Sequence, residues 1–165
     1  MEFYKKIEEI INQYIENEGE NEDDNFIGGV SDIKISNVEK YLGIKFPEDY
    51  RWFLKRYGSG GIEGVDILGI EKNQVEIEKN TVVFATNQFR KEYDLNSNIV
   101  IIEYSGGYAT GINTKNQNGK KSIVLIEACK SGEVISKSNS FCEYFLDKLK
   151  YMLEKDSRLR LNFYL

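Results

Sequence analysis

One stretch constrains the fold of this chain more than any other: Phe46-Pro47-Glu48-Asp49-Tyr50-Arg51-Trp52-Phe53-Leu54-Lys55-Arg56-Tyr57-Gly58-Ser59-Gly60-Gly61, which holds its single proline and single tryptophan. Pro47 suits the first position of a helix, where a missing N–H costs nothing. Glu48 and Asp49 then stand at the positive end of the helix dipole, with Lys55 and Arg56 at the negative end. Tyr50, Phe53, Leu54 and Tyr57 recur at i, i+3, i+4 and i+7 and form one apolar stripe. Gly58 can close the helix in the left-handed region, and Gly60 and Gly61 allow a sharp turn. The stretch reads as a core helix feeding a glycine turn. A phosphate-binding reading of that turn fails, because Glu63 stands where a G-x-G-x-x-G loop needs glycine and because a helix, not a strand, precedes it.

Helical signals recur on both sides. Phe3, Ile7, Ile10, Ile11, Tyr14 and Ile15 share a face and predict a helix over 3–18. Ser36-Asn37-Val38-Glu39 has the spacing of a capping box and predicts a short helix ending at Gly43. Val82, Ala85, Thr86, Phe89 and Tyr93 keep helical spacing over about 81–94, although Val82-Val83-Phe84 alone also suits a strand. Ser140-Phe141-Cys142-Glu143 is a second capping box, opening a helix with Phe141, Tyr144, Phe145, Leu149, Met152 and Leu153 on one face.

Strand signals occupy the rest. Gly64–Ile70 is apolar and branched and predicts a first strand. Asn98–Tyr104, Tyr108–Ile112, Ser122–Glu127 and a short run at Val134-Ile135 predict four more, joined by turns at Gly106-Gly107, Asn116-Gln117-Asn118-Gly119 and Lys130-Ser131-Gly132. Such short turns favour antiparallel pairing, so the fold class is α+β, a mainly antiparallel sheet with flanking helices. With 165 residues, 41% hydrophobic and 30% charged, the chain suits one domain over 1–165. The apolar tail 156–165 could dock as an edge strand.

The helix start Gly43-Ile44-Lys45-Phe46-Pro47, the run Asp49-Tyr50-Arg51-Trp52-Phe53-Leu54, the Tyr57-Gly58 turn, Ile67-Leu68-Gly69, Ile99-Val100-Ile101 and the closing helix from Ser140 together resemble the SUKH superfamily. That group includes yeast cell-wall-synthesis regulators and many bacterial immunity proteins against polymorphic toxins. The resemblance covers about 31–153 and implies an α+β fold. It also implies a protein that neutralises a cognate toxin by binding it. A regulatory or adaptor module of the cell-wall-regulator type is the alternative. Toxins of that kind are often nucleases, which implies a basic partner.

The sequence offers few groups suited to catalysis. The chain has no histidine, the commonest general base and metal ligand. No G-x-S-x-G surrounds a serine. Cys129 and Cys142 make neither a disulfide framework nor a metal knuckle, and read as small packed side chains. The run Glu20–Asp24 lacks the spacing of a calcium loop. Glu63 and Asp66, and the strand-end Glu103 and Glu127, are the carboxylates that could do acid–base work if burial separated their pKa values. Solvated charge is the simpler reading. No enzyme activity, metal or cofactor is expected.

The charge is uneven. Residues 1–24 carry nine acidic residues against Lys5 and Lys6, leaving 18 acidic and 20 basic residues in the remaining chain. The segment 19–25 reads as a solvated acidic loop. A net charge of −5 argues against direct nucleic-acid binding. No secretory leader or long apolar run is evident, so a cytoplasmic location and no membrane partner are expected. Candidate partner-interface residues are therefore Glu18, Glu20, Glu22, Asp23 and Asp24, which could steer a basic toxin, together with Glu63 and Asp66. Trp52 joins them, since it lies slightly off the apolar stripe and suits either core packing or an interface anchor.

Overall fold

Phe53 is the centre of an aromatic cluster. Its ring meets those of Phe141, Phe145, Tyr57, Tyr50 and Phe26 at centroid separations of 5.3, 5.4, 5.7, 6.1 and 6.3 Å. The computed structural model describes residues 2–18, 26–105, 108–117, 120–127 and 133–155. In chain order these form α1 (Glu2–Glu18), α2 (Asp32–Leu42), α3 (Glu48–Arg56), a 3₁₀ turn at Ile77–Lys79, and α4 (Thr81–Tyr93). The strands β1 (Ile99–Ser105), β2 (Tyr108–Gln117), β3 (Lys120–Glu127) and β4 (Glu133–Ser138) follow, then α5 (Phe141–Lys155). The sheet runs β1-β2-β3-β4 with every pair antiparallel. This is the α+β architecture the turn spacing predicts.

Both faces of the sheet are covered. Ala85 and Phe89 of α4 pack on Ile99, Ile101, Ala109, Val124 and Ile126. On the other face Val100, Ile102, Ile112 and Ile123 join the main core beneath α1, α2, α3 and α5. Burial on two sides explains why Ile99–Ile102 is an unbroken apolar run rather than an alternating one. Val82-Val83-Phe84, which also suited a strand, lies in the first turn of α4.

Three local expectations change. Pro47 stands just before α3 rather than inside it, at φ −59° and ψ 150°; its carbonyl accepts the N–H of Arg51 at 2.9 Å. The Ser36 box does not open a helix, because α2 already begins at Asp32. Ser31 caps it, its hydroxyl accepting the Lys34 N–H at 3.3 Å, and Glu39 is drawn instead into an ion-pair cluster. Gly64–Ile70 is not a ladder strand. It is the return leg of the glycine turn, bridged only at Gly60 and Ile67, with Leu68 N–H donating to Ile102 O at 2.8 Å. Gly61 permits that close return, since a Cβ there would lie 1.5 Å from Val65 O.

The box at Ser140 does form, with Ser140 Oγ accepting the Glu143 N–H at 3.1 Å. A second cap comes from far away. The buried Asp49 carboxylate accepts Phe141 N–H at 2.8 Å and Cys142 N–H at 3.3 Å, joining the start of α3 to the start of α5. Asp49→Ala should therefore cost about 1–2 kcal/mol, the range for losing an N-cap acceptor, while Asp49→Asn, which keeps an acceptor, should cost less. Urea unfolding midpoints of the two variants check this.

Candidate functional site

A groove of about 910 Å³ opens between α5 and one end of the sheet, with Asp66 and Leu68 of the return leg closing a third side. A bulge in β1 builds its floor. The register shifts between Ile101 and Glu103, and Ile102 and Glu103 both face α5. Bulges re-aim side chains in this way. The Glu103 carboxylate receives the Tyr144 hydroxyl and the Lys148 ammonium of α5, and Tyr144 also reaches Thr110 Oγ1 at 3.3 Å. Burial first, and then the Glu103 charge, push the Tyr144 phenol well above its ordinary pKa. It remains a proton donor to Glu103 and cannot serve as a base near neutrality.

The helix supplies the opposite wall. Tyr144, Asp147, Lys148 and Tyr151 recur at i, i+3, i+4 and i+7 along α5, on a face distinct from the buried Phe141, Phe145, Leu146, Leu149 and Leu153. Tyr151 and, from the start of β2, Tyr108 stand on the rim, 55% and 49% exposed. The Glu143 carboxylate is held by the Ser138 hydroxyl at 2.8 Å and the Asn139 N–H at 2.9 Å, with the Ser138 bond foremost in drawing its pKa down. The carboxylates of Asp66 and Asp147 make no hydrogen bond or ion pair among the described residues. The groove thus combines tyrosine faces with more carboxylate than cation. Among the described residues no three His, Cys, Asp or Glu side chains gather into a cation-binding cluster.

The expected interface residues scatter. Asp66 lines the groove. Glu63 does not; at φ 50° it points to α1, where the Tyr14 hydroxyl donates to Oε1 at 2.9 Å. Glu63 and Asp66, neighbours in sequence, are thus not brought together in one site. Trp52 is half-buried and stacks on Tyr4 of α1 at 4.6 Å, meeting Tyr57 edge-on at 5.7 Å, so it brackets α1 against α3. Glu18 is the last residue of α1, and Glu20, Glu22, Asp23 and Asp24 lie outside the described residues, as do Cys129 and the tail 156–165. Cys142 is buried in α5, as its place on the helix predicts. The residues that sequence reasoning missed are Tyr108, Asp147 and Tyr151. Only the α5 pair carried a signal, as a second helical face.

The family model SUKH_5, described as SMI1-KNR4 cell-wall, matches residues 7–150. The chain belongs to this family. The SUKH_5 match begins inside α1 and reaches the last turns of α5, so it takes in all but the outermost wall of the groove. The family is associated with protein–protein interaction, which the Tyr-lined groove suits. Among the described residues no helix is long and apolar enough to cross a membrane.

Proposed function

We propose that this SUKH_5 protein is a bacterial-type immunity protein. It binds a cognate toxin in the cytoplasm and neutralises it by covering the surface the toxin needs, without turnover of its own. The observation that carries this reading is the groove beside α5, where exposed tyrosines and uncommitted carboxylates face one space. Tyrosine is enriched at binding surfaces because it offers a large apolar face at low entropic cost. A nuclease toxin must hold phosphates with cations, so its working surface is basic and complementary to such a groove.

The acidic stretch Glu18, Glu20, Glu22, Asp23 and Asp24 acts as a steering patch for the same partner. Replacing Glu22 with Gln and Asp23 and Asp24 with Asn together should leave folding unchanged and slow association about tenfold at low salt, with little effect on dissociation. Stopped-flow association at low and high salt checks this. Equal rates at low salt would remove the segment from the interface.

The family description, cell-wall, favours a second reading as a regulatory adaptor. Co-expression with the product of the neighbouring gene, tested as the toxin, separates the two. Immunity predicts rescue of growth and a co-purifying 1:1 complex. Growth arrest without a complex would overturn it in favour of the adaptor.

A further inference from the structure

We propose that the groove beside α5 is a receptor for an arginine-bearing segment of the protein partner, with guanidinium groups settling between Asp66, Asp147 and the faces of Tyr108 and Tyr151; this rests on the protein-binding reading above. The charges of the groove divide into spent and unspent. Lys148 is committed to Glu103, and Glu143 to Ser138 and Asn139. The carboxylates of Asp66 and Asp147 have no such partners among the described residues, and they reach the same space from different elements, the return leg and α5. An incoming segment therefore meets two negative charges; among the described residues the one cation lining the groove, Lys148, is committed, and Lys155 at the rim lies over the Tyr151 ring.

The tyrosines of α5 already show what they can hold. The Lys155 ammonium sits 4.4 Å from the centroid of the Tyr151 ring, and the Lys148 ammonium 5.8 Å from that of Tyr144. Both lie within the range in which a ring attracts a cation. Arginine fits this combination better than lysine. Its planar guanidinium stacks on a ring while its edge donates two parallel N–H bonds to a carboxylate, and it sheds water more readily than an ammonium. The form of the site also bears on the occupant. It is an open trough of about 910 Å³, with room for several side chains, and among the described residues it lacks the cluster of three acidic ligands that would capture a metal ion.

The test uses the full chain and three probes at low salt: an acetylated, amidated Gly/Ser peptide carrying two arginines, its lysine counterpart, and spermidine. Calorimetric titration should show the arginine peptide binding several-fold more tightly than the other two. Asp66→Asn with Asp147→Asn should weaken it about tenfold or more, and Tyr108→Ala with Tyr151→Ala by about five- to tenfold. All four side chains are exposed, so the melting temperatures should match wild type. Arginine-peptide affinity unchanged in the double Asn variant would overturn the proposal, as would equal affinity for the lysine peptide or spermidine. The same variants against the neighbouring-gene product tested as the toxin separate this proposal from the function. Toxin binding that survives the Asn substitutions overturns the groove and leaves immunity standing. Arginine-peptide binding without toxin binding overturns immunity and leaves the groove.

Discussion

Phe53→Ala should lower stability by about 3–5 kcal/mol, the range for truncating a fully buried phenylalanine. The upper half of that range is expected here. The side chain is fully buried, and the five rings around it belong to α3, to α5 and to the segment leading into α2. Three of these rings, Tyr50, Phe141 and Phe145, are fixed by α3 and α5 and cannot collapse into the space left behind, so the cavity persists. Against a total stability of about 5–15 kcal/mol this removes a large fraction. A urea midpoint equal to wild type would mean that α3 is not the centre of the core. Phe53→Leu should fall between the two.

Glu39→Ala should cost about 3 kcal/mol, at the low end of the range for breaking a buried ion pair. Its carboxylate is fully buried and accepts Arg51 Nη1 at 2.7 Å, Lys45 Nζ at 2.7 Å and the Phe46 N–H at 2.9 Å. Removing it strands little charge, since Arg51 keeps Asp32 at 2.9 Å and Lys45 is 79% exposed, which is why the low end applies. Burial alone would raise the pKa of Glu39, but Lys45, Arg51 and the Phe46 N–H outweigh it and hold the group below its ordinary value. A depressed folded pKa contributes stability above the unfolded value, and that stability is lost as pH falls through the folded pKa. The stability gap between wild type and Glu39→Gln should therefore be constant near neutrality and close below about pH 4. A gap that widened on acidification would contradict the cluster.

How legible the fold was depends on the reach of each contact. α3, α5 and the hairpins of the sheet were written in local periodicity and in turn residues, and they stand where the sequence places them. Glu39 misled because its partners Arg51 and Lys45 lie beyond the next turn, while its spacing from Ser36 imitates a local cap. Ser31 gave a weaker pattern and holds the actual cap. Gly64–Ile70 is as apolar as a strand because Val65, Ile67 and Ile70 are buried. Its backbone partners, however, are Gly58, Gly60 and Ile102, so burial was readable and pairing was not. The site was less legible still. Asp147 and Tyr151 announce a second face of α5, yet nothing local reports the bulge that turns Glu103 toward them, or the return leg that carries Asp66 to their side. Acidity drew attention to the N-terminal segment instead.

The claim that this face of α5 is where a protein partner docks is tested most directly by amide hydrogen exchange, comparing the chain alone with the chain bound to the protein that co-purifies from co-expression with the neighbouring gene. The account predicts slowed exchange in peptides covering Asp66, Tyr108 and Tyr144–Tyr151, with the peptides covering α2 unchanged. Protection confined to α2, with the groove exchanging as in the isolated chain, would contradict it.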